Sequence, residues 1–118
     1  MKHPESLIQR AFVQWCRLNE KLYPSLKLAY AVPNGGKRSI ITASILKAEG
    51  ARPGVPDWHL PCANEYATGL WIEFKAGKGK ASPAQAEYIE LLRKYGHQVE
   101  ICNDAEKAIE IVKAYLGR

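Results

Sequence analysis

Residues 54–75 read GVPDWHLPCANEYATGLWIEFK, and the alternation inside this stretch decides the fold. Val55 to Pro61 and Leu70 to Ala76 are short β-runs separated by a polar, turn-rich segment, Cys62 to Gly69, which is the pattern of a hairpin. Folded symmetrically about Glu65, such a hairpin sets Asp57 opposite Glu73. Because successive strand side chains point to opposite faces, Glu73 and Lys75 share one face while Leu70, Ile72 and Phe74 take the other and enter the core. Asp57 and His59 likewise share a face.

One face of one hairpin then carries two carboxylates and an ammonium. Two acids held this close repel unless a cation lies between them, and hard oxygen ligands favour Mg²⁺ or Mn²⁺. A lysine beside that ion can orient or deprotonate a water, or neutralise charge on a phosphate. The chemistry implied is phosphodiester hydrolysis. An Asp, Glu and Lys at this spacing are common on ordinary strand faces, so the triple alone is not specific.

The chain around it adds to the signal. Pro4 to about Leu22 is an amphipathic helix with Ile8, Phe12, Trp15 and Cys16 at helical period, widened by Leu7 and Ala11. Glu5 falls close to the angular position of Phe12 and Cys16, hence toward the buried side, although a first-turn acid also suits the helix dipole. Leu26 to Val32 alternates as a strand and ends at Pro33. The loop Asn34, Gly35, Gly36, Lys37, Arg38 follows, with Ser39 as an N-cap. Its glycines and cations make it a candidate contact to a nucleic-acid backbone. Ile40, Ile41, Ile45 and Leu46 form a short helix that closes at Gly50.

Pro53 and Pro56 stiffen the approach to Asp57. Trp58 alternates with it and is read as core; His59 shares the carboxylate face, but magnesium sites seldom use imidazole, and His3 and His97 have no partners by spacing. After Lys75, Lys78 and Lys80 lie in a flexible basic loop beside the proposed site and suit sequence-blind phosphate contacts. Ser82-Pro83-Ala84-Gln85 is a capping box that opens a helix with Tyr88, Leu91, Leu92 and Tyr95 as its apolar stripe. Capping accounts for Gln85 by itself, and one side chain serving both a cap and a catalytic site is not expected. His97 to Cys102 is a strand with Val99 and Ile101 inward. Asp104 caps a last helix built on Ala105, Ala108, Ile109, Val112 and Leu116.

The order α-β-α-β-β-α-β-α, with a crossover helix between Lys75 and His97, predicts an α/β fold: a mixed sheet flanked by helices on both faces, one domain across residues 1–118. Lys plus Arg outnumber Asp plus Glu by 17 to 12, a net charge of +5 that favours a polyanionic partner. Cys16, Cys62 and Cys102 have no CxxC spacing, so a disulfide framework and a zinc ribbon are not indicated. No run approaches a membrane span, and a reducing, cytoplasmic setting is expected.

Five motifs taken in order carry a family likeness: Glu5 in the first helix, Pro33-Asn34-Gly35-Gly36, Gly54-Val55-Pro56-Asp57, Glu73-Phe74-Lys75, and Ser82-Pro83-Ala84-Gln85. Together they resemble the VRR-NUC (virus-type replication-repair nuclease) family in its stand-alone, phage-like form, within the PD-(D/E)xK nuclease superfamily. The likeness covers about residues 4 to 115. It implies a restriction-endonuclease-like core and metal-dependent DNA cleavage. Asp57, Glu73, the Phe74 carbonyl and Glu5 would hold Mg²⁺ or Mn²⁺, with Lys75 and Gln85 completing the catalytic set. It also implies 5′-phosphate and 3′-hydroxyl products, and homodimeric enzymes that cut branched DNA such as Holliday junctions. A monomeric flap or single-strand nuclease, and a non-catalytic nucleic-acid-binding module, stay open on the residues alone.

Overall fold

The structure is a computed structural model that describes residues 4–33 and 39–117. The sequence-predicted loop Asn34, Gly35, Gly36, Lys37 and Arg38 lies outside the described residues. Four strands, β1 (Tyr30–Ala31), β2 (Trp58–Leu60), β3 (Leu70–Phe74) and β4 (Gln98–Cys102), form one sheet in the order β1-β2-β3-β4. The first two pairings are antiparallel and β3 with β4 is parallel, so the sheet is mixed as expected. Helices α1 (Pro4–Leu18), α2 (Ile40–Ala48), α3 (Pro83–Lys94) and α4 (Ala105–Tyr115) complete the α/β order.

The hairpin has the predicted register. Leu60 faces Leu70, His59 faces Trp71 and Trp58 faces Ile72, which puts Asp57, one residue before β2, across from Glu73. Leu70, Ile72 and Phe74 are buried in the larger core, where α1 supplies Phe12 and Cys16 and α4 supplies Ala108, Val112 and Tyr115. Phe12 meets Trp58 edge to face at 4.8 Å and Phe74 at 5.5 Å, welding the first helix to the hairpin. The opposite face is covered by α3, whose Ile89 packs with Trp71 and Val99, flanked by Leu92 and Ile101. The long connection between β2 and β3 is pinned to α4: the Tyr115 hydroxyl donates to the Cys62 carbonyl at 2.5 Å, and Asn64 Nδ2 donates to the Tyr115 carbonyl at 3.0 Å. Asn64 Oδ1 also accepts from the Tyr66 and Ala67 amides at 2.8 Å, which closes the turn.

Three expectations need correction. The stretch from Leu26 is not a strand: Pro24–Leu28 is a 3₁₀ helix, and pairing is confined to Tyr30–Ala31. Pro24 presets a helical φ, the Leu26 amide donates to the Tyr23 carbonyl at 3.0 Å, and Leu26 drops into the core. Helix α1 ends at Leu18 rather than near Leu22, because Asn19 turns its side-chain amide onto the Trp15 carbonyl at 2.8 Å and draws off a helix-terminal acceptor. On α3 the buried stripe is Ile89 with Leu92, whereas Leu91 and Tyr95 are 51% and 68% exposed. Gln85, Ile89 and Leu92 follow the i, i+4, i+7 spacing of one helical face, so the face that covers the sheet also aims Gln85 at it.

Helix α2 begins at the predicted Ser39 cap, whose side chain accepts from the Thr42 amide; it ends at Ala48 with Glu49 as C-cap, and Gly50, at φ +108°, turns the chain away. It buries no side chain, and Ile40, Ile41 and Ile45 are exposed. No helix among the described residues is long and apolar enough to cross a membrane.

Candidate active site

Asp57 is held from three directions. Buried Pro56 precedes it, its carbonyl accepts from the Val32 amide at 2.8 Å, and its Oδ2 accepts from the Phe74 amide at 2.8 Å. Gln9 Nε2, one turn beyond Glu5 on α1, approaches the Asp57 carbonyl at 3.5 Å. The Asp57 carboxyl is therefore tied to the main chain beside Glu73. Its pKa is raised, chiefly by burial, against the lowering effects of the Phe74 amide and the Lys75 charge.

Glu73 is only 2% exposed. Its Oε2 accepts from Gln85 Nε2 at 2.9 Å and pairs with Lys75 Nζ at 3.3 Å, while Oε1 is buried with no hydrogen-bond partner. Burial, and next the charge of Asp57, push its pKa up to about 7. An orphaned, buried carboxylate oxygen is costly. The side chain that carries it has a second carboxylate, Asp57, and an ammonium, Lys75, as its charged neighbours.

Gln85 overturns the expectation that it must choose between roles. Its Oε1 accepts from the Ser82 amide at 2.8 Å, closing the capping box, while its Nε2 reaches Glu73. An amide has an acceptor end and a donor end, and each has its own task.

The remaining predicted residues are dispersed around this centre. Glu5 is exposed on the first turn of α1, near enough for its charge to push Asp57 further up. Lys75 keeps 15% of its side chain exposed, and Lys78 and Lys80 are exposed in the loop that follows. Gly79 folds back over the Lys75 stem.

His59 is withdrawn from the acid pair. It stacks on Trp71 at 3.7 Å with planes 9° apart, and its Nδ1 hydrogen-bonds the Tyr30 hydroxyl at 2.8 Å. Burial, with the charge of His97 second, lowers its pKa to about 4, so the ring is neutral. His97, without a partner by spacing, accepts from Trp71 Nε1 at 3.0 Å through Nδ1. The sequence reasoning missed this row, although the register that pairs Asp57 with Glu73 also pairs His59 with Trp71.

Among the described residues no three His, Cys, Asp or Glu side chains gather into a metal-binding group. The donors that do converge are two carboxylates, one with an unused buried oxygen. They fit a hard divalent ion of the magnesium type, which characteristically takes one or two carboxylates and fills its other positions with water and phosphate oxygens.

The two raised carboxyls make stability depend on pH. Glu73 binds its proton more tightly folded, near pH 7, than unfolded, near its ordinary 4.5. That contribution is fully present below the unfolded pKa and is lost as pH rises through the folded one. The metal-free protein should melt several degrees higher at about pH 5.5 than at about pH 8, and Glu73→Gln should flatten that slope. Melting curves of both proteins across this range check it; an unchanged slope in the variant refutes the assignment.

Residues 2–106 match the family model of the VRR-NUC domain. A solved structure described as a VRR_NUC domain protein is similar over 96% of this chain and 88% of its own, with 27% sequence identity and a TM-score of 0.80. No curated protein matches this chain.

Proposed function

Since the chain belongs to the VRR-NUC family, a nuclease-type domain on a PD-(D/E)xK-like fold, we propose that it is a Mg²⁺- or Mn²⁺-dependent endonuclease that hydrolyses phosphodiester bonds in branched DNA such as four-way junctions. The observation that carries this reading is the Asp57–Glu73 pair, two carboxyls whose pKa values are raised with the buried Glu73 Oε1 unpartnered. Asp57 and Glu73, with the Phe74 carbonyl, are the residues that would hold the ion; Glu5, expected as a further ligand, does not gather with them and adds only its nearby charge. When bound, such an ion supplies charge stabilisation on the phosphate and a more acidic water. Lys75 positions the attacking water and offsets negative charge on the phosphate. Gln85 holds Oε2 of Glu73 through Nε2, while Oε1 has no hydrogen-bond partner and would be available to the ion. Lys78, Lys80 and the segment Asn34, Gly35, Gly36, Lys37, Arg38 contact phosphates without reading sequence, in keeping with the +5 charge.

Purified protein incubated with labelled four-way junction, linear duplex and flap, with and without Mn²⁺, tests the class and the substrate together. Incision is expected only with metal, and fastest on the junction. Equal incision in excess chelator sinks the metal reading; flap preferred over junction sinks the substrate.

We place the enzyme in a two-fold dimer, which sets one site against each of two opposing strands. The support is α2, a nine-residue helix with Ile40, Ile41 and Ile45 in solvent. A helix this short is marginal alone in water, and an apolar face of this kind marks an interface. Sedimentation should give twice the chain mass for the wild type and the monomer mass for Ile41→Asp; a monomeric wild type rejects the dimer.

A further inference from the structure

Gly54 has φ +85°, and its open side lies against the first turn of α3. A Cβ built there would stand 2.4 Å from the Ala84 carbonyl oxygen, 2.6 Å from its carbon and 2.9 Å from the Gln85 nitrogen, all main-chain atoms. No flexible side-chain tip can move aside to make room. Gly50 and Gly77 also have positive φ, at +108° and +53°, yet a Cβ at either meets nothing within 4 Å.

The place of this contact gives it a consequence. Three residues after Gly54 comes Asp57, and immediately after Ala84 comes Gln85, whose amide holds Glu73 at 2.9 Å. The loop bringing one carboxylate and the helix end restraining the other therefore touch at a position with room for hydrogen only. Ser82 and Gln85 are locked together by the capping box, so a displaced first turn moves as a unit. The bond across to Glu73 is the one left behind.

We propose that Gly54 is a positioning residue that keys the Asp57 loop to the N-terminus of α3 and thereby sets the reach of Gln85 to Glu73. Its effect on cleavage rests on the nuclease reading; its effect on Gln85 does not. Gly54→Ala and Gln85→Ala should each slow metal-dependent cleavage about 10- to 100-fold, the weight of one hydrogen bond to a charged group. The double variant should fall no more than about threefold below either single, because both act through one bond. Gly50→Ala, with comparable backbone strain but open space, should stay within about twofold of wild type. In ¹⁵N-labelled protein the Gln85 side-chain amide pair, assigned by its loss in Gln85→Ala, should shift in Gly54→Ala and hold still in Gly50→Ala.

Multiplicative losses in the double variant, or an unmoved Gln85 amide in Gly54→Ala, overturn the proposal. If Gly54→Ala does not fold, the reciprocal measurement decides: Gln85→Ala should displace the Gly54 backbone amide resonance and spare that of Gly50, and an unmoved Gly54 resonance rejects the link. A wild type that never cleaves DNA defeats the nuclease reading, while the spectra still judge the contact.

Discussion

Asp57→Asn is expected to lower Mn²⁺-dependent cleavage by about 10³-fold or more, since removing a ligand from a catalytic ion forfeits several kcal/mol of transition-state stabilisation. The substitution is nearly isosteric. Asn Oδ1 can still accept from the Phe74 amide, the 2.8 Å bond that anchors this side chain. The fold should persist, and with one of two mutually repelling carboxylates gone the metal-free protein should melt no lower than wild type at about pH 8, because burial and Asp57 are what raise the Glu73 pKa. The informative result is the combination: activity lost, four-way junction still bound, melting temperature held or raised. Cleavage at the wild-type rate ends the active-site assignment. Loss of activity accompanied by unfolding would leave Asp57 a structural residue.

Phe12→Ala should have the largest effect on stability, about 3–5 kcal/mol. Phe12 is fully buried and touches the rings of both Trp58 and Phe74. A domain of this size has about 5–15 kcal/mol in total, so the melting temperature should fall by more than about 10 °C. Leu91→Ala, at a side chain 51% exposed, should change stability by less than about 1 kcal/mol and serves as the control. Denaturant titration of the three proteins measures both values, and comparable losses would mean that the core is not centred on α1 and the hairpin.

The hairpin was legible because alternation in a strand is a two-valued property: once Leu70, Ile72 and Phe74 are inward, Glu73 and Lys75 can only be on the other face, and the turn length fixes what stands opposite. The crossover through α3 followed from chain length. Periodicity failed where a single polar or cyclic residue outweighed it. Alternation from Leu26 to Tyr30 is compatible with a strand, but Pro24 and the Tyr23 carbonyl had already committed the chain to a 3₁₀ turn. On α3, six apolar or aromatic positions left the stripe ambiguous, and only contact with β3 and β4 selected Ile89 with Leu92. The double role of Gln85 was hidden for a different reason: a capping motif states what the oxygen of the amide does and says nothing of the nitrogen. Gly54 carried no sequence signal beyond its turn, because what it excludes lies thirty residues along the chain, at Ala84.

The ties from α4 back to the β2–β3 connection, Tyr115 to Cys62 and Asn64 to Tyr115, have a temporal meaning. A ribosome makes the hairpin with its acids well before it makes the parallel strand β4 and the helix that braces the turn. An unfinished chain thus has its charged residues but neither the sheet neighbour of Phe74 nor the clasp on the turn. The two acids of the hairpin precede, in order of synthesis, the strand and helix that complete their surroundings.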